Sequence, residues 1–462
     1  MKIIVLNGSP KGQISVTMQY VAFIQKKHPE HEFVILDIAQ QIKHIESNAA
    51  AFHSIIADIA AADAVLWAFP LYVCLVHGNY KRFIELVAER KATAAFGGKH
   101  TAVLTTSIRF FDHTAHNYVQ GICDDWAMKF YAAYSADMDD LFKAAERERL
   151  LRFAHGFLQA VQQDETAGQA YSPLVHDVEY LPAAEPVQVD TMGRKVVILT
   201  DAAGEEGEAS LNRMLAYLTT VFNGQAQVVN LRALTMAGGC LGCLCCGYDN
   251  TCRYNGKDDF TAVYNSTLKT ADVLIFAGSI RDRYLSSTWK TFFDRAFFNT
   301  HIPSFAGKQI GFLISGPLRQ LPNLREILTA YTEWQQANLA GFVTDEDAGE
   351  PGKVDSLLRQ LAGRSLEYAG DNYIKPLTFL GWGGRKIFRD EIWGAIRFPF
   401  AADHLYYKRH GLYDFPQQDY GVRLRNLVMG LFVKIPFIRK EIYEKQMIGK
   451  MVEPYKKLLA KL

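Results

Sequence analysis

The sequence predicts an α/β protein: two doubly wound parallel sheets in tandem, followed by a helical C-terminal extension. Three observations predict it. Short β-branched apolar runs alternate with helical patterns, as in parallel sheets covered on both faces. The pattern restarts in the second half with matching segments in the same order. From about Lys375 the text changes, and lysines and arginines alternate with aromatics and aliphatics at helical spacing.

The first strand is expected at residues 2–6 and runs into Asn7-Gly8-Ser9-Pro10. A helical pattern follows over 16–27. Further strands are expected at 32–38, 63–69, 100–106 and 130–134, with helices at 79–90 and 140–162. A polar, proline-containing stretch over 163–193 reads as a linker. The pattern then restarts at Lys195-Val196-Val197-Ile198-Leu199. Asp272 repeats Asp63, Lys290 repeats Lys81 and Lys308 repeats Lys99, all at a spacing of 209, whereas the first strands are 193 apart. The second half therefore carries 16 extra residues between its first and third strands. Three matches at one spacing argue for duplication. The expected domains are 1–165, a linker at 166–193, 194–372, and the extension at 373–462.

With 462 residues, 49% of them apolar and 21% charged, the chain can bury a sizeable core. That excludes a wholly disordered, collagen-like or disulfide-scaffold protein. Fifty Lys and Arg balance 49 Asp and Glu, so net charge gives no sign of a nucleic-acid partner. No apolar run reaches the ~18 residues of a membrane span, and residues 2–6 are too short for a signal-peptide core. A cytoplasmic protein is expected. Five of the seven cysteines lie between Cys240 and Cys252, which in a reducing compartment favours metal or redox chemistry over a structural disulfide.

The loop from Gly8 to Thr17 follows a strand and opens a helix. Its glycines let backbone approach an anion, Ser9, Ser15 and Thr17 offer hydroxyls, and the helix start offers free N–H groups. It is neither a Walker loop nor the Gly-x-Gly-x-x-Gly fingerprint. Pro70-Leu71-Tyr72-Val73 follows the third strand, at the sheet edge where open α/β folds bind ligands. Together, Ser9-Pro10-Lys11 and Pro70-Leu71-Tyr72 resemble the flavodoxin-like NADPH-dependent FMN reductases. That resemblance implies a flavodoxin-like fold and an FMN phosphate held by Ser9, Lys11, Ser15 and Thr17. It places the isoalloxazine against Pro70, Leu71, Tyr72, Val73, Thr106 and Ser107, with NAD(P)H as co-substrate. No side chain is assigned a catalytic role, the chemistry being the flavin's. The second half departs from this pattern. Its first loop, Asp201 to Glu208, holds four carboxylates that would repel a phosphate, and Gly278-Ser279-Ile280-Arg281 lacks the proline–aromatic pair.

Cys240, Cys243, Cys246 and Cys252 form a C-x2-C-x2-C-x5-C run, with Cys245 in addition. Four thiolates on a glycine-bearing loop are a full ligand set for a cubane cluster. The run, with Lys257-Asp258-Asp259-Phe260 after it, resembles the iron–sulfur flavoproteins, which implies a [4Fe–4S] cluster on those four cysteines. A structural zinc, and free or reversibly oxidised thiols, are the other readings of the same run. Cys74 and Cys123 sit in apolar settings and read as packing residues.

Residues 375–462 hold 17 Lys/Arg against 8 Asp/Glu. Two readings fit them: a helical cap with its apolar face on the α/β body, and an element for a membrane surface or acidic partner. Aromatic density favours the cap; His404 and His410 read as structural. The functional expectation is an FMN-dependent and iron–sulfur oxidoreductase or electron carrier, serving a small-molecule or protein acceptor, with homo-oligomers allowed. The rival from another class is a non-catalytic scaffold whose cysteines hold zinc.

Overall fold

Local sequence makes strands alternate with helices, with two helices in succession between the second and third strands. In the first half they are β1 (Lys2–Asn7), α1 (Val16–Lys27), β2 (Glu32–Leu36), α2 (Ile38–Ser47), α3 (Ala49–Ala60), β3 (Ala64–Pro70), α4 (Gly78–Glu89), β4 (His100–Ser107), α5 (Asp112–Asp125), β5 (Lys129–Asp137) and α6 (Ala144–Gln162). The second half has β6 (Val196–Thr200), α7 (Ala209–Val221), β7 (Gln227–Asn230), α8 (Phe260–Val263), β8 (Val273–Ser279), α9 (Ser287–Ala296), β9 (Gln309–Ser315), α10 (Pro322–Trp334), β10 (Asn338–Thr344) and α11 (Lys353–Gly370). Then come α12 (Phe379–Trp393), α13 (Ala401–Arg409), α14 (Tyr420–Phe432), α15 (Pro436–Lys440) and α16 (Met447–Leu459). The structure is a computed structural model describing residues 1–203, 208–415 and 419–462.

Each half builds one five-stranded parallel sheet. The orders are β2-β1-β3-β4-β5 and β7-β6-β8-β9-β10, the flavodoxin-like order in both. The central strands are apolar throughout because helices cover both faces. Ile3 to Leu6 and Val273 to Ala277 are fully buried. The expected second strand ends earlier than its apolar run suggests. Asp37 turns back to accept a 2.7 Å hydrogen bond from Asn7, and Ile38 begins α2. The expected helix over 140–162 begins at Ala144, after a single 3-10 turn at Asp140–Phe142. Residues 166–195 carry no helix or strand, yet they are tied down. The backbone N–H groups of Ala170 and Tyr171 donate to Asp124, and the Tyr180 hydroxyl donates to Asp355 at 2.6 Å.

The two halves join through α4 and α9, and one apolar cluster runs through both from Trp67 and Phe83 to Trp289 and Phe292. Glu85 of α4 accepts from the Ser287 backbone N–H that opens α9, at 2.6 Å. Asp294 of α9 accepts from the Gly78 backbone N–H that opens α4, at 2.7 Å. Gly78 and Ser287, Lys81 and Lys290, and Glu85 and Asp294 are pairs at the same spacing of 209. The contact is therefore reciprocal, as in a two-fold dimer, but lies within one chain. A Cβ on Gly78 would stand 3.1 Å from the Thr291 backbone nitrogen, so glycine lets the helices approach this closely. Lys81 is fully buried and pairs with Glu85 at 3.2 Å and Asp282 at 2.8 Å. Lys290 pairs with Asp294.

The first compact unit runs from Met1 to His404, so α12 belongs to it. There the Thr378 hydroxyl and the Gly381 N–H donate to Glu333, and Gly384 lies against Trp334. Leu405–Leu462 form a second unit of short helices, many of whose large apolar side chains are exposed. Among the described residues no helix is long and apolar enough to cross a membrane.

Glu85 gives a direct test of the joint. Burial raises its pKa, but Lys81, Ser287 and Arg82 outweigh that and hold it below the usual carboxylate range. Its contribution is present above the ordinary glutamate value near pH ~4.3 and is lost as pH falls through the lower folded value. Glu85→Ala leaves Lys81 buried without one of its partners. It should cost about 3–5 kcal/mol in urea denaturation at neutral pH. Glu46→Ala, which removes a more exposed partner of Arg82, should cost under about 1 kcal/mol. Equal small effects would show that the joint does not depend on this carboxylate.

Candidate functional site

The carboxyl edge of the first sheet is formed by the turns after β1, β3 and β4. After β1, Gly8 packs so closely that a Cβ would meet Phe69 at 2.6 Å. Ser9 is buried. Its N–H donates to Asn7 and its hydroxyl accepts from the Lys11 N–H. Gly12 has φ +61°, which turns the chain toward α1. Ser15 is the N-cap of α1 and accepts from Met18 N–H at 3.3 Å. The helix itself offers no partner to the N–H groups of Val16 and Thr17. Thr17 and Thr106 share a buried 2.6 Å hydrogen bond that ties α1 to the end of β4. Ser107 accepts from the Arg109 N–H at 2.7 Å.

The turn after β3 is held by a two-way backbone bridge between Tyr72 and Leu75, each bond 2.9 Å, with Val73 and Cys74 at positive φ. The Leu71 N–H donates to the Thr106 carbonyl at 3.1 Å. The structure thus brings Ser9, Thr17, Leu71, Tyr72 and Thr106 to one edge. Cys74 and Cys123 are buried in the core.

The cysteine loop of the second half lies against this edge. His77 is fully buried, and its Nε2–H donates to the Cys240 carbonyl at 2.7 Å. Its Nδ1 accepts from the Asn79 N–H at 3.1 Å, which defines the neutral tautomer. Burial lowers its pKa, in keeping with that tautomer. Lys43 donates to the Ala237 carbonyl at 2.7 Å. Gly242 has φ +60°, and a Cβ there would meet the Tyr72 hydroxyl at 2.2 Å and Lys11 Cε at 3.1 Å. The Tyr72 ring meets His77 edge-on at 4.7 Å, and burial, with Cys240 next, raises its pKa.

The same loop is braced from its own half. The side chains of Arg295 and Asp258, both almost wholly covered, form an ion pair at 2.8 Å, and Arg295 also donates to the Gly238 carbonyl. Tyr254 and Phe260 flank the Arg295 guanidinium. Asn250 donates to Thr300 at 2.9 Å.

Burial pushes the Cys246 thiol up to about 12, with Cys240, Cys252 and Cys243 adding to it. Burial likewise pushes Cys240 up to about 12, with smaller contributions from Cys243 and Cys252. Cys240, Cys246 and Cys252 are half-buried, while Cys243 and Cys245 are exposed. Among the described residues no group of three or more His, Cys, Asp or Glu is set to hold a single metal ion.

At the equivalent edge of the second half, side chains fill the position. Glu208 accepts from the Ala203 N–H and pairs with Arg281. Asp201, buried, accepts from Ser286 and from Trp289 Nε1 at 2.9 Å, and burial raises its pKa. Gly204, Glu205, Glu206 and Gly207 lie outside the described residues. Sequence reading alone did not find His77, Lys43, Arg295 or the Glu208–Arg281 pair. The spacing of 209 carried a signal for two of them, since it aligns His77 with Ser286 and Tyr72 with Arg281.

Residues 1–147 match a protein family described as having a flavodoxin-like fold. The chain is similar to solved structures, each at low identity. One is general stress protein 14 from Treponema denticola in complex with FMN: 13% identity, 36% of this chain and 99% of that one, TM-score 0.27. Another is an FMN-dependent NADH-azoreductase from Bacillus anthracis in complex with FMN: 11% identity, 35% and 99%, TM-score 0.26. A third is an NADPH-quinone reductase from P. pentosaceus: 14% identity, 36% and 99%, TM-score 0.27. Among curated proteins none matches.

Gly242→Val should push the loop off Tyr72. In metal-free protein the Cys240 thiol should then react with a thiol reagent roughly tenfold faster, the equivalent of about 1.4 kcal/mol of lost contact. An unchanged rate at Cys240 would mean that the loop does not need this close approach.

Proposed function

We propose that the chain is an FMN-dependent NAD(P)H oxidoreductase whose second half supplies a [4Fe–4S] cluster beside the flavin. The observation that carries this reading is the seat of the cysteine loop: Cys240 and Gly242 against His77, Tyr72 and Lys11 at the first sheet's edge. The flavodoxin-like match over residues 1–147 supports the same edge as a flavin site.

When bound, FMN takes up two electrons as a hydride and can pass them on singly, which joins a nicotinamide donor to a one-electron centre. The chain's own part is to hold and shield. The backbone from Ser9 to Gly12 and the free N–H groups of Val16 and Thr17 suit a phosphate at the start of α1. Lys11 adds a positive charge. The Tyr72 turn, rigid through its bridge to Leu75, suits one side of a planar ring. Four cysteine thiols on a loop braced by Arg295 and Asp258 suit a cluster, and because Cys240 and Cys246 are protonated at neutral pH, loading them releases protons.

The tandem arrangement supports a duplicated reductase in which one half kept the flavin and the other acquired the cysteines. In the second half the Glu208 carboxylate takes the backbone N–H that an anion would need, and Arg281 covers it. We therefore place one FMN per chain, in the first half.

Anaerobically purified or reconstituted protein should contain one FMN per chain. Replacing Ser9 and Thr17 together by alanine should weaken FMN binding about tenfold or more, because Lys11 N–H and Thr106 then lose the hydroxyls that fix this edge, at about 1 kcal/mol each. Two flavins per chain, or unchanged affinity, would exclude the first-half assignment.

The cluster is tested separately. Iron and sulfide should each approach about four per chain, as a cubane requires. Cys246→Ser should remove the iron and leave FMN bound, whereas Cys245→Ser should keep both. Zinc in place of iron would make the loop a structural clip.

A further inference from the structure

We infer that residues 420–462 are a docking element for an anionic lipid surface. This inference does not depend on the redox reading. Within α14, Leu424, Leu427, Val428, Leu431 and Phe432 recur at the spacing that makes one continuous stripe. All five are exposed, Leu424 by 63%. At 100° per residue, Arg423 and Arg425 fall on the two borders of that stripe. Such a border is where long basic side chains can reach headgroups while the apolar face enters the acyl boundary.

A second stripe repeats the design. In α16, Met451, Val452, Tyr455, Leu458 and Leu459 share one side, Leu459 exposed by 67%. Lys450, Lys456, Lys457 and Lys461 occupy the remaining arc with Glu453. Between the two helices, Phe437 at the start of α15 is 78% exposed. This much exposed apolar surface is unusual unless it meets a partner.

Charge selects the partner. Residues 420–462 hold ten Lys/Arg against three Asp/Glu. A second copy of the same surface would be repelled by that excess. A nucleic-acid backbone would match the charge but could not cover two apolar stripes. A leaflet containing anionic lipid does both: its headgroups attract the basic borders and its acyl region covers the stripes. None of these helices is long and apolar enough to span, so the mode is peripheral.

The test uses the full chain in flotation with vesicles. Phosphatidylcholine vesicles containing about one third phosphatidylglycerol should bind it at least tenfold more strongly than phosphatidylcholine alone, and raised salt should weaken binding. Leu427→Glu with Leu431→Glu should abolish flotation. Lys456→Glu with Lys457→Glu should reduce it severalfold, with the α/β body as stable to heat as before. Equal flotation on both vesicle types, or none, overturns the inference even without the variants. So does sedimentation that reveals a dimer abolished by Leu427→Glu and Leu431→Glu while the native chain ignores vesicles. Flotation unchanged by both double variants overturns it as well.

Discussion

Each half of the α/β body needs a carboxylate from the other to complete the start of its own helix. Glu85 caps α9 and Asp294 caps α4, and both lie beside buried lysines. Buried pairs of this kind add little net stability over apolar packing, but a missing partner is costly because it strands a charge. The arrangement therefore acts more on geometry than on total stability. It admits one register, in which both carboxylates find their N–H groups at once. Because α4 begins directly after the Tyr72–His77 turn, and α9 after the Arg281–Ser286 segment, that register also brings the carboxyl edges of the two sheets together. The seat of the cysteine loop follows from it.

Much of the fold could be read from sequence. The alternation of buried strands and helices, the repeat at 209 and the 16-residue excess were all legible, and the two sheets have the expected order. The elements missed are those with a weaker pattern. No helix was expected over 38–60, where α2 and α3 stand, since alanines and scattered polar residues blur the period. The early end of β2 turned on a hydrogen bond between Asn7 and Asp37, and periodicity carries no trace of such a bond.

The candidate site is legible in part for a different reason. Local backbone can be read where residue type alone restricts the conformation, as with Gly8 and Gly12. A contact cannot be read where the partner is distant in sequence. His77 is an ordinary helix cap through one nitrogen, which accepts from the Asn79 N–H. Its second nitrogen reaches a carbonyl 163 residues away. Arg295 reads as a helix-end base, but its partner Asp258 lies in the inserted loop. Acidic residues after β6 pointed away from a phosphate, yet nothing in that loop foretold that Arg281 would close over Glu208.

The same spacing that aligns the halves shows how a symmetric frame carries an asymmetric site. Where the first half has Tyr72, the second has Arg281; where the first has His77, the second has Ser286. Tyr72 and His77 leave an edge that receives the partner half's loop. Arg281 and Ser286 instead bind inward, to Glu208 and Asp201. A tethered carboxylate is always at hand, so it outcompetes a free anion for the same N–H group. Closing that edge also has a structural consequence. The Asp201 side chain is fixed by Ser286 and Trp289, and its carbonyl accepts from Arg232 at 2.6 Å, at the root of the segment that leads to the cysteines. Of the residues at the second half's edge, Asp201 thus also holds the base of the inserted segment, while Arg295 and Asp258 brace it further along. The closed edge of the second half and the seating of its inserted loop are linked through the one residue, Asp201.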